Sequence, residues 1–261
     1  MIYAKKSLGQ NFLIDKNIIK KIVDLTKINE NNIIEIGPGK GALTNEILKR
    51  NPKSLTIIEK DSELVKKLKI QYETNKLIKI HNADILKFNL EKIINKKTSI
   101  FGNLPYNISS QILVKILKFK KWPPNFNNLI FMFQKELGEK IIGKYPTKDY
   151  GRLSILSNYR LNILKKFLVS PNCFFPKPKI ISMVINFCPK NLNSFNIKNI
   201  SNLEHVTNTF FSNKRKMINK NIKKILNNSS INKLSNLRLE SRPSEIKPEI
   251  YYKITELYEK Q

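Results

Sequence analysis

Asn103-Leu104-Pro105-Tyr106 stands where a strand-like run, Ser99-Ile100-Phe101-Gly102, gives way to a helical run from Ile108 to Leu117. These four residue types suit one demanding reaction, the alkylation of an exocyclic adenine amine. That amine is a poor nucleophile because its lone pair is delocalised into the ring. A protein that methylates it must turn the lone pair toward an electrophilic methyl group and accept the amine's protons. The side-chain oxygen of Asn103 and the backbone carbonyl of Leu104, which the following proline helps hold, can both face one NH2 group. Tyr106 offers an aromatic face to a base taken out of its stack. The same tetrapeptide would also serve as a plain strand-to-helix turn, since Asn and Pro are common turn residues. Alone, it does not separate the two.

An element that positions a ligand for this chemistry lies upstream. Ile33-Ile34-Glu35-Ile36 reads as an apolar strand, Gly37-Pro38-Gly39-Lys40-Gly41 as a tight turn, and Ala42 to Leu48 as a helix. Strand, glycine turn and helix in that order make a nucleotide site at the edge of a parallel sheet. The spacing is not G-x-G-x-x-G, because the third glycine comes one residue early. No lysine followed by Ser or Thr closes the turn, so a P-loop is excluded. Pro38 also removes an amide that a pyrophosphate cradle would use. The turn suits a ligand without phosphates, such as S-adenosylmethionine.

Two acids fit that ligand. Leu55-Thr56-Ile57-Ile58 reads as the second strand and ends in Glu59, about twenty residues past the glycines, where an acid can accept both ribose hydroxyls. Ile78 to Asn82 reads as the third strand and leads to Asp84, placed to bind the amine of the ligand's adenine. Acids at strand ends are often helix caps, and Asp61 and Asp84 could each act so. Four features in the right order at βα-unit spacing make capping the weaker explanation.

With these residues in view, the chain resembles the ribosomal RNA adenine dimethyltransferases of the KsgA type over nearly its whole length. The resemblance is carried by Leu8-Gly9-Gln10-Asn11-Phe12-Leu13, the stretch from Glu35 to Thr44, and Gly102 to Ser109. It continues through Phe133-Gln134-Lys135-Glu136, Tyr150 to Ser154, Phe174-Phe175-Pro176-Lys177-Pro178-Lys179, Phe211 to Lys216 and Arg242-Pro243. It implies an α/β fold, a Rossmann-like class I S-adenosylmethionine-dependent methyltransferase domain with a mostly parallel seven-stranded sheet. A small helical C-terminal domain would complete a cleft for RNA. The implied activity is N6,N6-dimethylation of two adjacent adenines in the loop of the 3′-terminal hairpin of small-subunit ribosomal RNA, with a role in subunit biogenesis. By the same resemblance Asn11 and Leu13 close over the cofactor, Gly37 approaches its methionine part and Glu59 takes the ribose. Asp84 and Asn103 then flank its adenine and methyl end, and Phe174 forms a second aromatic wall opposite Tyr106. Pro176 and Pro178 interrupt regular structure, so Phe174 is expected on a stiff loop rather than within an element. The departures are mild: Phe101 replaces an aliphatic residue, and Ile180-Ile181 replaces Val-Asp.

Direct displacement at a sulfonium methyl needs positioning more than acid–base machinery. The sequence holds no metal-ligand spacing, since Cys173 and Cys188 make no CxxC and His81 and His205 are far apart. No G-x-S-x-G nucleophile motif is present. Lys and Arg number 48 against 20 Asp and Glu, a formal charge of +28 that fits an RNA partner. Abundant Lys, Asn and Ile with scarce Arg also look like AT-rich coding, which would raise the charge unselected. Lysines nevertheless gather at Lys5, Lys6, Lys16, Lys20 and Lys21, at Lys165, Lys166, Lys177 and Lys179, and from Lys214 to Lys224.

A length of 261 residues allows one large domain and one small one. Asn128 to Phe133 reads as a fifth strand, and Leu161 to Leu164 and Ile180 to Phe187 as later strands closing the sheet edge as an antiparallel hairpin. Beyond Cys188-Pro189 the pattern becomes polar and then helical, which sets residues 1–188 as the catalytic domain and 189–261 as the helical one. No apolar stretch of ~18 residues and no leader pattern occurs, so a cytoplasmic protein is expected. Its expected partner is small-subunit rRNA within a pre-30S particle, with no membrane, no metal and a monomeric state. The rivals are a large-subunit methylase of the erythromycin-resistance type, a ribosome assembly factor without catalysis, and a DNA adenine methylase.

Overall fold

A computed structural model describes residues 10–191 and 194–261; Leu8, Gly9 and the first lysine group at Lys5 and Lys6 lie outside the described residues. The contacts divide the chain into two compact units, one formed by the chain up to Gly138 with Asn162–Pro189, the other by Glu139–Leu161 with Lys190–Gln261.

The first unit is built on a seven-stranded sheet. In chain order come β1 (Phe12–Leu13), α1 (Lys16–Val23), β2 (Asn32–Ile36), α2 (Ala42–Leu48), β3 (Ser54–Glu59), α3 (Ser62–Gln71), β4 (Ile78–Asn82), β5 (Thr98–Asn103), α4 (Ser109–Leu117) and β6 (Phe126–Gln134). After α5 (Lys135–Ile142) and α6 (Arg152–Arg160) come β7 (Leu161–Val169), β8 (Phe174–Phe175) and β9 (Ser182–Pro189). The sheet order is β4-β3-β2-β5-β6-β9-β7. The pairs from β4 through β6 are parallel, and β9 runs antiparallel to β6. Strands β2 and β5 read as near-continuous apolar runs because both faces are covered: Ile33, Ile34, Ile36, Ile100 and Phe101 are all buried. The late strands β7 and β9 are neighbours at the sheet edge, where the sequence pattern put them.

Local signals set the helix starts. Asp15 caps α1, its carboxylate accepting from the amides of Asn17 and Ile18 at 2.9 Å each. Asp61 caps α3 by accepting from Glu63 N at 3.0 Å.

The second unit is helical, with α7 (Ile200–Phe211), α8 (Asn219–Ile222), α9 (Asn228–Ile231) and α10 (Pro248–Tyr258). Residues 139–161 belong with it, which departs from a single cut after residue 188. The reason is aromatic packing. Tyr159 and Tyr252 pack in a tilted contact with ring centroids 4.9 Å apart, and the Tyr252 hydroxyl donates to Ile155 O at 3.2 Å. Tyr150 likewise donates to Ile246 O at 2.8 Å. Such contacts outweigh sequence order, so α6 packs with a partner almost a hundred residues away. Lys214, Arg215 and Lys216 are exposed in the turn after α7.

One expectation is corrected here. Phe174 is not on an irregular loop: with Phe175 it forms β8, which pairs antiparallel with β1, Leu13 facing Phe174 and Phe12 facing Phe175. Strand alternation then sends the two phenylalanines to opposite faces. Phe174 is 2% exposed in the core beside Leu13, Ile19, Val169 and Val184, while Phe175 is 65% exposed. Truncation should distinguish them. Phe174→Ala should lower stability by about 3–5 kcal/mol through lost burial and a cavity, whereas Phe175→Ala should stay within about 0.5 kcal/mol of wild type. Chemical denaturation of both variants checks this; equal losses would contradict the facing of β8.

Candidate active site

The order of strands fixes where a ligand can sit. From β2 the chain moves outward through β3 and β4, then crosses back to β5 on the other side of β2. Helices leave a crevice at such a switch, beyond the carboxyl ends of the strands. In register, Ile36 of β2 lies beside Ile58 of β3 and Gly102 of β5. The next residues, Gly37, Glu59 and Asn103, therefore emerge side by side.

The glycine turn is open because side chains would fill it. Gly39 has φ +59°, and a Cβ there would lie 2.9 Å from Cδ1 of Phe12. Gly41 begins α2 at φ +83°, where a Cβ would come within 2.7 Å of the Tyr72 hydroxyl. Only glycine meets both the backbone and the steric demand.

Three carboxylates face the crevice. Glu35 is 1% exposed; its Oε2 accepts from the Thr44 hydroxyl at 2.6 Å, and its Oε1 has no partner among the described residues. Burial, with Glu59 nearby, pushes its pKa up to about 7. Glu59 is 8% exposed, and burial raises it too, against the hydrogen bond its Oε1 accepts from Asp61 N at 2.9 Å. Asp84 is held below the usual range, chiefly by its hydrogen bond from Lys60, whose Nζ lies 2.9 Å away, and by the amide of Leu86 at 2.9 Å. Asp84 thus closes a turn, as a capping acid would, and lines the cavity as well.

At the end of β5 the Asn103 amide donates to Asn11 O at 3.0 Å, which leaves its Oδ1 as an acceptor. The turn that follows uses the carbonyls of Pro105 and Tyr106, bonded by Ile108 N at 3.1 Å and the Ser109 hydroxyl at 3.1 Å, and leaves that of Leu104 out. The Tyr106 hydroxyl and the buried Ser182 hydroxyl are 2.6 Å apart, which ties the ring to the start of β9. Burial raises the Tyr106 phenol, so it stays neutral.

Asn11, Leu13, Gly37, Glu59, Asp84, Asn103, Leu104 and Tyr106 all line one cavity. Phe174 is not among the residues that line it; it is buried in the core cluster with Leu13, its partner across the ribbon of β1 and β8. Sequence reasoning missed two residues. Glu35 is hidden within its motif, although one acid in an apolar strand is itself a signal. Ser182 shows its value only through the contact with Tyr106. Among the described residues no group of three His, Cys, Asp or Glu is arranged to hold a metal ion. No described helix is long and apolar enough to cross a membrane.

The family model for ribosomal RNA adenine dimethylases matches residues 1–260. The chain belongs to that family. It is 44% identical to "Ribosomal RNA small subunit methyltransferase A" of Pelagibacter ubique, covering 99% of this chain and 98% of the relative. A protein of the same name from Malacoplasma penetrans is 42% identical over 97% of this chain and 91% of its own length. A crystal structure of a dimethyladenosine transferase from Plasmodium falciparum shares the fold, with a TM-score of 0.72, 24% identity and coverage of 93% and 95% of the two chains. The 23S rRNA methyltransferase ErmE shares it as well, with a TM-score of 0.69 and 21% identity over 95% of this chain and all of that one.

The dimethylase family implies S-adenosylmethionine as methyl donor, and the crevice fits it. Glu35, Glu59 and Asp84 suit a ligand carrying an ammonium group, ribose hydroxyls and an adenine amine. The unpartnered Glu35 Oε1 is the group that a cation would satisfy.

Glu35 makes stability depend on pH. Its folded pKa, about 7, lies above the ordinary 4.5. Below pH 4.5 both folded and unfolded chains hold the proton and the group is neutral to stability. As pH rises toward 7 the unfolded chain ionises first, so folding loses up to about 3 kcal/mol, and the loss is constant above that. Glu35→Gln should therefore be more stable than wild type above pH 7 and equal to it near pH 4. Denaturation midpoints across that range test this, and a difference independent of pH would contradict it.

Proposed function

We propose that this protein transfers methyl groups from S-adenosylmethionine to N6 of two adjacent adenines in the loop of the 3′-terminal hairpin of small-subunit rRNA, giving N6,N6-dimethyladenosine. The observation that carries this reading is the convergence of Asn103, Leu104 and Tyr106 on a cavity lined by Glu35, Glu59 and Asp84.

S-adenosylmethionine would supply an electrophilic methyl group on its sulfonium. Glu59 accepts its ribose hydroxyls, Asp84 its adenine amine, and Glu35 faces the cationic end, with Asn11, Leu13 and Gly37 closing around it. Asn103 Oδ1 and the Leu104 carbonyl accept the target amine's two hydrogens, which turns the nitrogen lone pair toward the methyl group. Tyr106 presents its ring to the extruded base and keeps its proton, so it orients and does not act as a base. The alkylated amine is acidic and releases its proton without a dedicated base. Orientation is the main source of rate in such a site. In the cell the substrate is a pre-30S particle in the cytoplasm, and the protein acts as a monomer.

Purified protein, labelled S-adenosylmethionine, and unmethylated small- and large-subunit RNA or precursor particles provide the test, read by mass spectrometry of digested nucleosides. N6,N6-dimethyladenosine should form in small-subunit RNA. Tyr106→Ala should weaken productive RNA binding by about 1–3 kcal/mol of stacking energy. Tyr106→Phe keeps the ring and loses only the link to Ser182, so it should retain most activity. Product confined to large-subunit RNA would favour the erythromycin-resistance type of substrate, and no product at all would remove the enzymatic reading.

A further inference from the structure

Away from the cavity, the catalytic unit carries an open groove of about 620 Å³ between α1 and the edge strand β7. Lys20 and Lys21 line one wall, and Lys165 and Lys166 the other. None of the four is ion-paired among the described residues. The groove's one acid, Asp24, is already neutralised by Arg50 at 2.7 Å. Lys21 Nζ sits 4.3 Å from the centroid of the Phe167 ring, which covers the one aromatic face in the groove. Lysines on an edge strand can serve merely to prevent strand pairing. That explains Lys165 and Lys166 but not the matching pair on α1, brought there from the other end of the unit.

The chain path joins this groove to the active site. Helix α1 follows β1 directly through its Asp15 cap, and β7 leads through Pro171–Cys173 into β8. Strands β1 and β8 pair with each other, and Phe12 and Leu13 of β1 line the cavity. Both lysine walls are thus anchored to the ribbon that borders the cavity.

Resting on the dimethylase reading above, we infer that Lys20, Lys21, Lys165 and Lys166 form a second binding site for the phosphodiester backbone of the substrate RNA, outside the methylated loop. Ammonium groups are compact point charges without the planar fork that reads base edges. With the aromatic face covered, the groove grips phosphates irrespective of sequence. It supplies affinity and register, and the cavity supplies the chemistry.

The test replaces all four lysines by alanine and compares a control of equal charge change, Lys66→Ala, Lys67→Ala, Lys76→Ala and Lys79→Ala, whose side chains are exposed elsewhere on the unit. RNA binding is measured across a salt series. The groove variant should bind less steeply with salt, the log–log slope falling by ~0.7–0.9 for each phosphate that is no longer neutralised. Its KM for RNA should rise about tenfold or more at physiological ionic strength. The pairs Lys20→Ala/Lys21→Ala and Lys165→Ala/Lys166→Ala should each give part of the change. Affinity for S-adenosylmethionine without RNA, measured in the same preparations, reports that the unit is folded. A wild-type salt slope in the groove variant, an equal loss in the control, or groove-dependent binding to anionic vesicles but not to RNA would overturn the inference. If wild type methylated no RNA, the functional reading itself would fail; an active enzyme indifferent to these lysines removes the groove alone.

Discussion

The hydrogen bond from the Asn103 amide to the carbonyl of Asn11 is the contact on which the site depends. An amide side chain can present either its oxygen or its nitrogen, and nothing in β5 alone decides which. Donation to Asn11 decides it, leaving Oδ1 as the acceptor. The same bond joins the end of a central strand to the N-terminal segment that walls the cavity. Around it the Pro105 and Tyr106 carbonyls are consumed within their own turn, so in the proposed reaction the Leu104 carbonyl is the second acceptor. The buried link between Tyr106 and Ser182 then holds the aromatic face.

Charge is arranged to match. The parallel strands β2, β3 and β4 carry or lead into Glu35, Glu59 and Asp84, and the three differ in environment. Asp84 is stabilised as an anion by Lys60, whereas Glu35 is buried with one oxygen unpartnered. A buried carboxyl whose pKa is near 7 destabilises the free protein at neutral pH and gains most from a cationic ligand.

Much of this was legible in the sequence because it is local. Helix α2 and strand β4 lie at the residues their patterns indicated, Ala42–Leu48 and Ile78–Asn82. The glycine turn and the strand-end acids follow from the same short βα units. The misreadings concern long-range pairing. Phe174 and Phe175 are neighbours of one type, and which of them faces inward is set by register against Phe12 and Leu13, far away in the chain. Helix α6 joins the helical unit because Tyr159 and Ile155 meet Tyr252, a contact that no local pattern encodes. Ser182 is unremarkable until β9 brings it to Tyr106.

The central claim is that Asn103 works as an acceptor only because its nitrogen is held by Asn11. Asn103→Asp tests it directly, since a carboxylate keeps the acceptor but cannot donate and would repel the Asn11 carbonyl. Dimethyladenosine formation by this variant, at saturating RNA and S-adenosylmethionine, should fall about a hundredfold or more, the scale of a small misplacement in a positioned reaction. Wild-type turnover in Asn103→Asp would contradict the account.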